Sequence, residues 1–161
     1  MIELNNMQFS WKDTLILNIE HLRICANEKV FIQGVSGSGK STLLNLMAGV
    51  ITAEKGDVLI NNNCLNSMKS SQRDSFRANH IGFIFQQFNL IPYLNLIENI
   101  ILPCKFSLLR KEKALKRSKS LEEEAIRLLG NLGINASAIL SRSVSELSIG
   151  QQQRVAIARA L

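Results

Sequence analysis

Short apolar runs and one longer helical pattern organise the chain. Lys29 to Gly34, KVFIQG, is a run of β-forming apolar residues closed by glycine, which predicts a buried strand. In KSTLLNLMAG the apolar Leu43, Leu46 and Met47 recur at helical spacing, and Gly49 suits the left-handed position just past a helix end. GDVLINNN, Gly56 to Asn63, predicts a strand running into an asparagine-rich turn, and IGFIF, Ile81 to Phe85, predicts a third buried strand. Strands alternating with helices imply an α/β layer with parallel pairing. From Pro92 onward the pattern is helical. Ser120 and Glu123 are spaced for a capping box, with Leu121, Ala125, Leu128 and Leu132 along one face. Ser148 and Gln151 repeat that cap, so a last helix is predicted to begin at Ile149 with Gly150 inside its first turn.

Composition narrows the class. At 161 residues with 46% hydrophobic and 20% charged positions, the chain suits one globular domain and neither a disordered nor a collagen-like polymer. No internal repeat, low-complexity tract or Pro/Gly/Ser linker interrupts it. MIELNN has no basic n-region or apolar h-region, and no run of apolar residues is long enough for a membrane span, so a cytoplasmic protein is expected. Cys25, Cys64 and Cys104 are far apart without a C-x-x-C pair, which predicts free, mostly buried thiols and no metal site. The net charge is +6, but Arg110 to Lys119 holds six basic residues and one acid; the remainder carries 13 basic against 12 acidic. A local excess reads as a solvated helix face, with anionic lipid head groups the alternative, and no nucleic-acid partner is expected.

GVSGSGKS fits G-x-x-x-x-G-K-[ST] through Gly34, Gly39, Lys40 and Ser41, between a predicted strand and a predicted helix. The glycines let backbone N–H groups turn inward around phosphate oxygens. The helix N-terminus adds positive potential, Lys40 can reach the β- and γ-phosphates, and the Ser41 hydroxyl can coordinate Mg²⁺. A second helix N-terminus, at Ser148, offers another set of free N–H groups. With the phosphate loop, LSIGQQQRVAIARAL closely resembles the LSGGQ signature of the ATP-binding cassette (ABC) ATPases in its transporter form, and GFIFQQFNLIPYLNLIENI looks most like the lipoprotein-releasing and macrolide-export branch.

The resemblance implies an α/β P-loop NTPase of the ABC type with a helical subdomain. Its divisions would be a nucleotide-binding core at 1–91, a helical subdomain at 92–147 and the signature helix at 148–161. It implies an ATP-binding subunit of an ABC transporter, an ATPase that couples ATP binding and hydrolysis to substrate movement through an integral membrane permease. Such a subunit lies on the inner face of the cell membrane and pairs head to tail with a second one. ATP and Mg²⁺ would be held by Gly34, Val35, Ser36, Gly37, Ser38, Gly39, Lys40, Ser41 and Thr42, with Trp11 stacked on adenine and Ser148, Gly150 and Gln151 presented to the partner's nucleotide. Gln86 falls at the Q-loop position beside Mg²⁺ and the γ-phosphate, with Gln87 its rival, and Lys40 and Gln86 would take the catalytic parts. Ile149 stands where the family has glycine, Asn27 where glycine is common and Val144 where proline is frequent. The 161 residues stop before the Walker B strand, the D-loop and the switch histidine, so the C-terminal part of the core sheet is expected to be missing. The alternative implied is a truncated nucleotide-binding remnant without ATPase activity.

Overall fold

A computed structural model describes residues 1–135, 139–140 and 142–161. Their contacts form two compact units, Met1–Asp74 and Ser75–Leu161.

The first unit is built on a four-stranded antiparallel sheet, order β2-β1-β3-β4, from β1 (Ile2–Trp11), β2 (Thr14–Ile24), β3 (Lys55–Ile60) and β4 (Asn63–Cys64). Strand β1 is central and buries Leu4, Met7 and Phe9, whose spacing breaks simple alternation. Asn6 causes the break: its φ of 49° makes a bulge, and the register with β3 shifts between Asn5 and Gln8. Gly56 lies opposite, where a Cβ would come within 2.3 Å of the Asn5 and Asn6 carbonyl oxygens. Helix α1 (Lys40–Met47) packs in the same unit and buries Leu43, Leu46 and Met47, the three residues its spacing singled out. Gly49 closes it in the left-handed conformation.

Two expected strands are absent. Lys29–Gly34 and Ile81–Phe85 are not strands, and no described strand hydrogen-bonds to either. An apolar run becomes a strand only where a neighbour completes its backbone ladder. Without one, Phe31 is 87% exposed and Val30, Ile84 and Phe85 are nearly half exposed. The pairing among described strands is correspondingly antiparallel, not parallel as expected. Strand β3 forms as foreseen, but stops at Ile60 because Asn61 and Asn62 turn with positive φ.

Helix α2 (Ser70–His80) spans the division between the units. The second unit then holds α3 (Leu96–Phe106), α4 (Leu108–Leu115), α5 (Leu121–Asn131), a 3-10 turn (Val144–Glu146) and α6 (Ile149–Ala160). Its core gathers Leu96 and Ile100 of α3, Ala125 and Leu129 of α5, and Val155 and Ala158 of α6. On α5 the buried face thus centres on Ala125 and Leu129, while Leu128 and Leu132 are only partly buried. Ser120 caps α5 by accepting from the Glu123 N–H, but the Glu123 carboxylate accepts from the Lys119 N–H, so the expected reciprocal box is shifted by one residue. Residues 75–91, which the sequence places with the core, sit here with the helices, because Ile81–Phe85 has no sheet to join and buried Asn99 grips Ile91. Asn99 accepts from the Ile91 N–H at 2.8 Å and donates to the Ile91, Leu94 and Asn95 carbonyls.

All three cysteines are free, but none is fully buried: Cys25 is exposed, and Cys64 and Cys104 are half-buried. Cys25 lies in a surface turn where its N–H donates to Glu28. No helix among the described residues is long and apolar enough to cross a membrane.

Candidate functional site

The glycine-rich loop from Gly34 to Ser41 lies in the first unit. Ser36 and Gly37 form a tight turn, the Ser38 N–H donates to the Val35 carbonyl at 3.2 Å, and Gly37 and Gly39 take φ of 81° and 87°. Gly39 is needed twice over: its conformation disfavours a side chain, and a Cβ would lie 2.9 Å from Leu17 of β2. The helix that follows has no acid in its first turn, so no carboxylate offsets the positive end of its dipole. Lys40, its first residue, folds back to donate to the Gly34 and Val35 carbonyls at 2.8 and 2.7 Å and to Ser38 Oγ at 3.4 Å. The ammonium therefore rests on the loop's own carbonyls. Ser41 is exposed and Thr42 half-buried in the same turn.

Trp11 belongs to the same unit. Leu17, the residue Gly39 approaches, pairs across the hairpin with Phe9, and Trp11 stands two residues beyond. It packs edge-on against the Phe9 ring, centroids 5.0 Å apart, and is 55% exposed, so a broad indole face remains free. Asn27, before the loop, has φ of 64°, which explains how asparagine serves where glycine is common.

The second unit carries the other residues singled out. Gln86 and Gln87 are both exposed and form a turn, followed by Phe88 and Asn89 with φ of 59° and 47°. Arg159 of α6, which falls inside the stretch LSIGQQQRVAIARAL but to which the sequence assigned no role, holds that turn by donating to the Phe88 and Asn89 carbonyls. Burial pulls its guanidinium pKa down from the ordinary value. At the other end of α6 the Ser148 box is complete: Gln151 N–H donates to Ser148 Oγ at 3.3 Å, and Ser148 N–H donates to Gln151 Oε1 at 3.0 Å. Ile149 is 76% exposed, a Cβ on Gly150 would meet nothing within 4 Å, and no acid occupies the first turn. Val144 opens the preceding 3-10 turn, a position that tolerates proline, and Gln152 ties this turn to α6 through the Val144 and Leu147 carbonyls. A cavity of about 170 Å³ in this unit is lined by Cys104, Arg110, Lys113, Arg117 and Glu124 among others, but by none of the expected site residues. Burial raises the Cys104 thiol pKa there.

No cluster of three or more His, Cys, Asp or Glu among the described residues could hold a metal by itself. The loop fits a metal that arrives with phosphates: the helix N-terminus carries no acid, Lys40 lies beside it as a cation, and Ser41 is exposed in the first turn.

Residues 17–161 match the ABC transporter family. The whole chain is 38% identical to a macrolide export ATP-binding/permease protein, MacB, of Pasteurella multocida, of which it covers 24%. Over 92% of its length it is 38% identical to the lipoprotein-releasing system ATP-binding protein LolD of Psychrobacter arcticus, covering 62% of that protein. It is 41% identical over its whole length to an uncharacterized ABC transporter ATP-binding protein of Methanocaldococcus jannaschii, covering 70%. Among solved structures, the dimeric structure of MJ0796, a bacterial ABC transporter cassette, superposes with a TM-score of 0.82 at 36% identity, over all of this chain and 69% of that one. A second structure of that cassette, a post-hydrolysis state bound to ADP and Pi, superposes equally well.

Proposed function

We propose, on the premise that this chain belongs to the ABC transporter family, that it supplies the phosphate-binding and signature parts of a transporter's ATP-binding subunit. The chain covers less than two thirds of the MacB and LolD relatives, so activity, substrate and partners of a whole protein enter here as part of the proposal.

In this reading Gly34 to Thr42 cradle a triphosphate. Inward N–H groups of the loop and the bare N-terminus of α1 bind the oxygens, and Lys40 leaves its carbonyl partners for the β- and γ-phosphates. The Ser41 hydroxyl would be a ligand to Mg²⁺, and the Trp11 indole would stack on adenine. Bound Mg²⁺ with ATP supplies a γ-phosphate whose charge is neutralised for transfer. Ser148, Gly150 and Gln151 present the α6 N-terminus to the nucleotide of a second subunit paired head to tail, so that ATP closes the pair. Reopening after hydrolysis would move a membrane permease.

The observation that carries this reading is Lys40 folded over the loop carbonyls at the start of a helix with no acid in its first turn. Lys40→Ala is expected to remove most Mg²⁺-ATP affinity in calorimetry, because the triphosphate loses the loop's only side-chain cation. Equal affinity of variant and parent would overturn the assignment.

A further inference from the structure

We propose that Lys105–Lys119 is a lipid-contact surface which seats the protein directly on an anionic bilayer, with Phe106, Leu108 and Leu115 entering the interface and Lys111, Lys116 and Lys119 meeting the head groups. This goes beyond the nucleotide reading, since it requires neither ATP nor a permease.

Helix α4 turns Leu109, Arg110 and Ala114 inward, half-buried. Arg110 is committed to the fold, donating to the Ala78 carbonyl at 2.8 Å and the Ala160 carbonyl at 3.2 Å. The opposite face is different. Leu108 is 76% exposed and Leu115 44%; seven residues apart, they lie on one side of the helix two turns from each other. Phe106, just before, is 73% exposed. Single exposed apolar residues are ordinary, but three within ten residues, interspersed with cations, form a patch.

The cations are uncommitted. Lys111 sits between the two leucines, and Lys116 and Lys119 follow them, all exposed; no carboxylate lies within ion-pair distance of any of the three among the described residues. Glu112 is the only acid in the segment. The carboxylate of Glu124 is taken by Arg127, with Arg117 at 3.9 Å. Exposed leucine and phenylalanine beside unpaired lysines is the chemistry of an element that lies in a membrane interface. A nucleic acid would satisfy the lysines but leave Phe106 and Leu108 in water, whereas a bilayer interface accepts both. With an eight-residue helix the segment lies on the membrane and does not span it. The rest of the chain is nearly balanced in charge, so attraction to a negative leaflet is confined to this side and orients the molecule.

Flotation of the whole chain with lipid vesicles tests this and separates bound protein, which rises, from aggregates, which sink. The chain is expected to float with phosphatidylcholine vesicles containing phosphatidylglycerol at low salt, and not with phosphatidylcholine alone. Each of Lys111→Gln, Lys116→Gln and Lys119→Gln should weaken partitioning about fivefold. Phe106→Ser with Leu108→Ser should weaken it further at every salt concentration, with unchanged circular dichroism. Lys40→Ala should float like the parent, so loss of nucleotide binding and loss of lipid binding are read separately. Equal flotation with neutral vesicles, or anionic flotation unchanged in the triple glutamine variant, would overturn the proposal. So would an RNA oligomer that strips the chain from vesicles through the same lysines while the two serine substitutions have no effect.

Discussion

Glu124 is an acid with only 7% of its side chain in contact with solvent, and it is kept charged by its neighbours. Arg127 donates twice to it at 2.7 Å and Ser118 once at 2.8 Å, which hold its carboxyl below the usual carboxylate range against the opposing effect of burial. The unfolded chain therefore takes up this proton at higher pH than the folded one, and the stabilisation is lost as pH falls through the lowered folded value. Glu124→Gln should cost on the order of 1–3 kcal/mol at neutral pH. Urea unfolding at a series of pH values should show parent and variant converging below about pH 4.3, the ordinary glutamate value; a constant gap would refute this account. Ile149 poses the opposite kind of question. As the first residue of α6 it adopts helical dihedrals at little cost, so its effect falls on what approaches the helix. If the α6 N-terminus meets a partner's γ-phosphate, Ile149→Gly should strengthen ATP-driven pairing about fivefold, roughly the 1 kcal/mol of one regained hydrogen bond. Sedimentation with ATP in a hydrolysis-blocked background measures it, and unchanged or weaker pairing would mean that Ile149 points away from the phosphate.

Among the elements, those specified by neighbouring residues were legible and those that depend on distant partners were not. The start of α6 follows from a serine, a glutamine three residues on, and a run of helix formers, all of which act within one turn. The same holds for α1 between Gly39 and Gly49. KVFIQG and IGFIF have the pattern of strands because hydrophobicity marks a segment that wants burial, but it does not name the strand that must lie beside it. The Asn6 bulge was invisible for a related reason: asparagine tolerates a left-handed conformation, and only the register against β3 reveals that it adopts one. The unpaired runs have a cost. Phe31 and Phe85 present apolar surface and free backbone groups, so a polypeptide of these 161 residues should self-associate. Phe31→Lys together with Phe85→Lys should raise several-fold the concentration at which light scattering begins; an unchanged onset would place the sticky surface elsewhere.

Across the whole molecule the candidate site was legible as motifs but not as a structure. The phosphate loop and signature are contiguous in sequence, so their residues could be named in advance. No local rule connects the guanidinium of Arg159 to carbonyls seventy residues earlier, and none marks Asn99 as the clamp on Ile91. That Arg159 link alters what α6 can be. A twelve-residue helix is a stiff rod about 18 Å long. Its far end carries the Ser148 cap, and its near end is bolted through two N–H···O bonds to the turn after Gln86 and Gln87. A displacement of that turn cannot be absorbed by loop slack; it acts as torque on a lever whose tip is the signature, so the glutamine turn and the serine cap move as one mechanical piece.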